Sequence, residues 1–228
     1  MDINRTFVTS DHHFRYWKHP FHLHCESTEE EEREHIALWN SIVGKDDLVF
    51  YVGDFSDWTD HDLQEICSQL NGRMILIKGN HDNNSDEAYR QAFEDVLEEK
   101  RIDELNLRLI HVKDKVEDLR PGERVIYGHE HRGIYLRPAT TSDSICVCAK
   151  WHGWKPLTLA EAIRQMDVVA AGGRRMEREE WSVLIAGIGV RVVEAKDIDG
   201  AYVAAMAAHD CRLADILAVF GHSPVRAS

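Results

Sequence analysis

Residues 48–54, Leu48-Val49-Phe50-Tyr51-Val52-Gly53-Asp54, and residues 74–82, Met74-Ile75-Leu76-Ile77-Lys78-Gly79-Asn80-His81-Asp82, follow one pattern. A short continuous apolar run stops near a glycine and discharges into side chains that bind metals or protons. Such runs read as strands buried on both faces. Four more complete the series. Thr6–Ser10 ends in Asp11-His12-His13, Leu107–Ile110 in His111 and Val125–Tyr127 in Gly128-His129, and Ile145–Ala149 comes last. Helical patterns fill the gaps. Ser27-x-x-Glu30 reads as a capping box for a helix from Thr28 to about Ile42, with carboxylates in the first turn complementing its dipole. Further helices are expected over Asp60–Leu70, Asp86–Glu99 and Thr158–Met166. Strands alternating with helices define an α/β fold.

The pattern ends at Met166. Ala170-Ala171-Gly172-Gly173-Arg174-Arg175 reads as a linker, so residues 1–166 form one domain and 167–228 an appendage. In the appendage, Glu177–Ile188, Ala201–His209 and Arg212–Phe220 have helical apolar spacing, with β character only at Val190–Val193. A small, mostly helical extension is expected, with homo-oligomerisation through its apolar residues as its expected role.

The chain has 228 residues, 43% of them hydrophobic, which suffices for a real core. With 27 Lys and Arg against 40 Asp and Glu the formal net charge is −13, most of it in 1–166. That excludes a broad basic face for duplex nucleic acid or anionic membrane, both of which need cationic side chains to displace counterions. Five cysteines without a C-x-x-C pair read as reduced thiols. The first residues lack a basic stretch followed by an apolar one, and no apolar run is long enough to span a bilayer. A cytoplasmic protein is expected.

The 14 histidines are the unusual count. Neutral imidazole is the commonest metal ligand and the usual acid or base near neutral pH. Here His, Asp and Asn gather directly after strand ends, where ligand-binding loops collect in open α/β sheets. Five such clusters without cysteine point to a polynuclear site of nitrogen and oxygen ligands.

The ordered set Asp11-His12-His13, Gly53-Asp54-Phe55-Ser56-Asp57, Gly79-Asn80-His81-Asp82, His111 and Gly128-His129-Glu130-His131 resembles the calcineurin-like metallophosphoesterase superfamily, in particular its small bacterial and phage-type phosphoesterases. Leu70-Asn71-Gly72-Arg73 and Trp154-Lys155-Pro156-Leu157 fit the same group. Arg15-Tyr16-Trp17 is bulkier than that group's pattern.

The resemblance implies a four-layer α/β/β/α sandwich and two divalent cations, with Mn favoured over Fe or Zn. It assigns Asp11, His13, Asp54 and His131 to the first cation and Asp54, Asn80, His111 and His129 to the second. Asp54 then bridges, as an anion should between dications roughly 3.5–4 Å apart. A water held between the cations would ionise and attack phosphorus, with His81 as general acid and Asp82 orienting its ring. A bound metal lets an acidic protein attract phosphate. The implied activity is phosphoric ester hydrolysis, of a diester by preference, with phosphomonoester or nucleotide hydrolysis and a non-catalytic metal-binding scaffold as alternatives. A small or single-stranded phosphate ester is the expected substrate, with neither duplex nucleic acid nor membrane as a partner.

Other residues read more plainly. His12 is expected behind the ligands or at the surface. Arg15, Lys18, His19, His22 and His24 read as a surface loop after the first motif. Glu130 is expected to face away, and Trp151 and Trp154 to pack.

Overall fold

The computed structural model describes residues 1–15, 28–56, 59–130 and 140–171, and the backbone of three strands between 179 and 221. In the first part the order is β1 (Thr6–Thr9), α1 (Glu29–Ile42), β2 (Leu48–Tyr51), α2 (Asp60–Gln69), β3 (Arg73–Ile77), α3 (Asp86–Ala92), β4 (Asp95–Leu97) and β5 (Glu99–Ile102). It continues with β6 (Leu107–Ile110), β7 (Arg124–Tyr127), β8 (Ser144–Cys146), β9 (Leu157–Thr158) and α4 (Leu159–Ala170).

Two sheets result. The first has the order β4-β3-β2-β1-β9, parallel except for β9. The second has the order β5-β6-β7-β8, with β5 antiparallel and the rest parallel. Successive side chains of a strand face opposite sides, so each run supplies two layers. Val8, Phe50 and Ile77 of the first sheet meet Leu107, Leu109, Ile126 and Ile145 of the second, and α4 adds Leu159, Ala162 and Met166 to this layer. On the other side of the first sheet, Phe7, Val49, Tyr51, Met74 and Leu76 pack against Ile36 and Trp39 of α1, Leu63 and Ile66 of α2, and Tyr89 of α3. Burying each such side chain contributes about 1.5–3 kcal/mol. The chain is therefore the expected α/β sandwich. Among the described residues, the outer face of the second sheet is covered by Val116 and Trp151, beside short 3-10 turns, rather than by an α-helix.

Register places the site. Thr9 pairs with Tyr51 and Tyr51 with Leu76, so the loops after β1, β2 and β3 leave one edge together. Ile110 pairs with Tyr127, and a bridge between Ser10 and Cys148 ties the sheets at the same end.

The structure corrects several boundaries. The first capping box is Thr28 with Glu31, one residue on from the expected pair, because Thr28 holds the extended cap backbone. Helix α3 stops at Ala92 instead of reaching Glu99, since the next residues add β4 beside β3 and β5 beside β6. Helix α4 runs past Met166 to Ala170.

The largest correction lies beyond. Contacts divide the chain into two compact units, Met1–Arg132 with Pro138–Ala171, and Gly133–Arg137 with Gly172–Ser228. The second unit contains β10 (Glu179–Ile185), β11 (Gly189–Ala195) and β12 (Ile216–Gly221) in the order β11-β10-β12, with both outer strands antiparallel to β10. The expected helix Glu177–Ile188 is thus largely strand β10, and the end of Arg212–Phe220 is β12. The physical reason is pairing: Trp181, Val183 and Ile185 alternate along the sequence as well as Trp181, Leu184 and Ile188 fit a helical face, and Gly189–Val193 pairs with Trp181–Ile185. The segment Ala201–His209 lies outside the described residues.

Candidate metal centre

The loop after β1 lies on the loop after β2. The amides of Asp11, His13 and Phe14 donate to the carbonyls of Gly53, Asp54 and Phe55 at 3.0, 3.2 and 2.8 Å. On this path Asp11, His13 and Asp54 have φ of 58, 49 and 57°, and His129 of the loop after β7 has 69°. Left-handed backbone is uncommon outside glycine, with Asp and His among the residues that tolerate it, and it costs about 1–3 kcal/mol per residue. Four such residues among the expected ligands make this the most strained part of the described chain.

Two glycines permit the close approach. Gly53 has φ +85°, and a Cβ there would lie 2.3 Å from His111 Nδ1. A Cβ on Gly79 would lie 2.2 Å from Asp54 Oδ1. The glycines in G-D and G-N-H-D therefore leave room for the ligand of a neighbouring loop.

The side chains converge in two groups. Asp11, His13 and Asp54 form one, Asp54, His111 and His129 the other, with the potential donor atoms of each within 4.8 Å of one another. Asp54 belongs to both. Its Oδ2 lies 3.2 Å from His111 Nε2 and 3.7 Å from His13 Nε2, is buried, and has no hydrogen-bond partner. Its Oδ1 accepts the amide of His81 at 2.9 Å. A buried carboxylate oxygen without a donor is costly unless a cation satisfies it, so the donor set fits a metal. Asn80 Oδ1 lies 3.2 Å from His111 Nε2, beside the second group. The His81 ring meets the His13 ring edge to face at 5.3 Å. His131 and Asp57 lie outside the described residues.

Supporting contacts aim these groups. His111 Nδ1 lies 2.8 Å from the Val52 carbonyl, which leaves Nε2 turned toward Asp54 and Asn80. Asp11 accepts the Ser10 hydroxyl and, through both oxygens, the His129 amide at 3.1 and 3.0 Å. Burial pulls the His111 pKa down, but the close contact with the Asp54 carboxylate and the charges of Asp11 and Asp54 outweigh it and bring it to about 9. Burial pushes Asp54 up, yet His111, His13 and the His81 amide hold it below the usual carboxylate range. Burial pushes Asp11 up to about 7, despite the opposing pull of His111. A cation at His111 must therefore compete with a proton, as metal sites of this chemistry do.

Two expectations change, those for Asp82 and Arg15, while His12 takes the buried one of its two expected places. Asp82 does not orient the His81 ring. Its Oδ2 accepts the amides of Asp54 and Gly79 at 2.8 and 2.7 Å, and its Oδ1 accepts that of Phe55 at 2.8 Å. Both oxygens are spent joining the G-D loop to the G-N-H-D loop. Burial raises its pKa, against the pull of these amides. His12 is buried behind the ligands, stacked on Phe14 at 4.9 Å, with its amide donating to the Tyr51 hydroxyl at 2.9 Å and its Nδ1 2.8 Å from the same oxygen. Arg15 is not part of a surface loop: it is 8% exposed and turned inward against carboxylates of α1 and α2. Lys18, His19, His22 and His24 lie outside the described residues. The other readings fare more simply. Glu130 is exposed and accepts the Tyr127 hydroxyl at 3.4 Å, while Trp151 donates to the Glu130 carbonyl at 2.8 Å and Trp154 stacks on His35 at 4.0 Å.

Sequence reasoning missed Arg15 and the backbone role of Asp82. A charged residue directly after D-x-H-F, where bulk departed from the pattern, was the available signal for the first. Nothing local marks the second.

A two-sheet α/β sandwich with Asp and His donors at one end of its parallel strands fits the calcineurin-like phosphoesterases. Residues 5–143 match the calcineurin-like phosphoesterase superfamily domain, and the chain belongs to that superfamily, whose members are generally metal-dependent phosphoesterases. It is similar to an uncharacterized protein of Methanocaldococcus jannaschii, 29% identical over 183 residues, covering 73% of this chain and 94% of the relative. The crystal structure of a protein of unknown function from Aquifex aeolicus aligns with a TM-score of 0.53 and 22% identity, covering 68% of this chain and 96% of that one. The latter likeness concerns the fold alone.

Proposed function

We propose that the chain is a dinuclear metal-dependent phosphoesterase, hydrolysing a small or single-stranded phosphodiester in preference to a monoester. The observation that carries this reading is Asp54 Oδ2, a buried oxygen without a hydrogen bond that belongs to both donor groups. Asp11, His13, Asp54 and His131 would hold the first cation, and Asp54, Asn80, His111 and His129 the second. Oxygen and nitrogen donors without thiolate suit Mn, with Fe or Zn as alternatives. The preference for diesters rests on the resemblance to small bacterial and phage-type phosphoesterases. When bound, the cations supply an ionised water near neutral pH and neutralise charge on the phosphate.

The residues do the rest. Asp54, fixed through its own amide by Asp82, presents its free oxygen to both groups. His111 is held by the Val52 carbonyl so that only Nε2 faces the site. His81, anchored through its amide to Asp54, carries its ring beside His13 and passes a ring proton to the leaving alkoxide oxygen.

The test loads the full chain with Mn²⁺, measures bound metal per chain, and compares monoester and diester substrates. Two metals per chain and faster diester turnover are expected, with Asp54→Asn binding fewer metals and hydrolysing both substrates far more slowly. One metal or none in the wild type, or full activity in Asp54→Asn, would overturn the reading.

A further inference from the structure

Arg15 stands where the loop carrying Asp11 and His13 ends, and it is built into the interior. Its backbone is left-handed at φ 65°. Its amide donates to Glu32 Oε2 at 2.6 Å and its guanidinium Nη1 to Glu32 Oε1 at 2.9 Å, so one carboxylate of α1 holds both main chain and side chain. Nη2 pairs with Glu65 Oε1 at 2.9 Å, and Nε lies 3.7 Å from Asp62 Oδ1, both on α2. Glu32 and Asp62 are themselves buried.

A buried charge network of this kind fixes geometry more dependably than it adds stability. What it fixes is the end of the strained loop. Upstream, the amides of Asp11, His13 and Phe14 follow the G-D loop, and the Ser56 hydroxyl donates to the Phe14 carbonyl at 2.9 Å. Downstream, the chain is clamped to two helices at once. Only a planar fork of several donors can serve α1 and α2 together, which a lysine cannot do.

We infer that Arg15 is a positioning residue for one half of the centre: by tying the end of the Asp11–Arg15 loop to α1 and α2, it holds Asp11 and His13 at the first cation. The second group depends on it less: Asp54 is shared and Asp11 accepts the His129 amide, but Asn80, His111 and His129 come from the loops after β3, β6 and β7. This inference rests on the two-cation reading above.

The experiment titrates Mn²⁺ calorimetrically into metal-stripped wild type, His13→Ala and Arg15→Lys, with thermal melts of each. His13→Ala marks the binding step that belongs to the first group. Arg15→Lys is expected to weaken that same step about tenfold or more, in the range of changes to residues that support metal ligands, and to leave the other step within about twofold. Equal weakening of both steps, or a lowered melting temperature with both steps intact, makes Arg15 merely structural and overturns the inference. If the wild type itself shows a single step, the two-cation reading fails instead. Should Arg15→Lys lack a cooperative melt, Glu32→Gln, which keeps volume and leaves Arg15 its α2 carboxylates, is judged by the same criterion.

Discussion

The two donor groups share Asp54 but are held in different ways. His111 and His129 follow directly from the ends of β6 and β7, and a main-chain carbonyl orients the His111 ring. Asp11 and His13 sit on a left-handed loop whose shape is imposed from outside, by the G-D loop, by Tyr51 through His12, and by the helices through Arg15. His111 inherits its precision from the sheet, whereas His129 shares the left-handed backbone and is held through its amide by Asp11. Asp11 and His13 need retaining contacts that carry no metal-binding chemistry themselves. Ligands of the two kinds should therefore respond differently to the same perturbation.

The largest effect should come from the atom both groups share. Asp54→Asn is expected to lower turnover by 10²–10³-fold, on the order seen when a group stabilising the transition state is lost, and to reduce bound metal measured by elemental analysis. If metal content fell for one group only, the groups would not share Asp54 as a ligand.

His81→Gln should separate chemistry from assembly. It belongs to neither donor group, so metal content should stay at the wild-type value while kcat on a substrate with a poor leaving group falls roughly 10²-fold. Wild-type turnover on that substrate would remove His81 from the proton transfer. Asp82→Asn touches both groups indirectly, by weakening the tie between the loops after β2 and β3. Its expected cost is about 3 kcal/mol in unfolding free energy by denaturant titration. A change below 0.5 kcal/mol would mean the amides find other partners.

The smallest effect concerns His12. Burial first, then the charges of His35 and His13, lower its pKa to about 3, against 6.5 for an unperturbed histidine. Below pH 6.5 the unfolded chain takes up a proton that the fold refuses. The stability associated with neutral His12 is thus present above that pH and is lost as pH falls toward 3, by at most ~1.4 kcal/mol per unit. Between pH 7 and 5, wild type should lose about 1–2 kcal/mol more than His12→Phe. Parallel curves would show that His12 is not held neutral.

These contrasts track what could be read without a structure. The placement of Asp11, His13, Asp54, Asn80, His111 and His129 after strand ends was legible because each follows a short β-rich run, whereas their roles as ligands came from the family resemblance alone. Asp82 was legible as a member of its motif but not in its role, since hydrogen bonds to amides far along the chain leave no mark in local sequence. Arg15 looked like the start of a polar loop, because charge predicts exposure until a partner is known. Residues 177–188 looked helical because Trp181, Leu184 and Ile188 satisfy a helical period while Trp181, Val183 and Ile185 satisfy an alternating one. Only the partner strand decides between them.

The Asp82 tie has one more consequence, concerning which changes the centre can absorb. It contacts the main chain of positions 54, 55 and 79, and at position 55 it is indifferent to the side chain carried there. Exchanging Phe55 for another hydrophobic residue would therefore leave this attachment in place. Only a proline, which has no amide hydrogen to offer, would cut it. Substitutions at the rim of the centre can thus alter what the site admits while the spacing of the two loops is inherited unchanged.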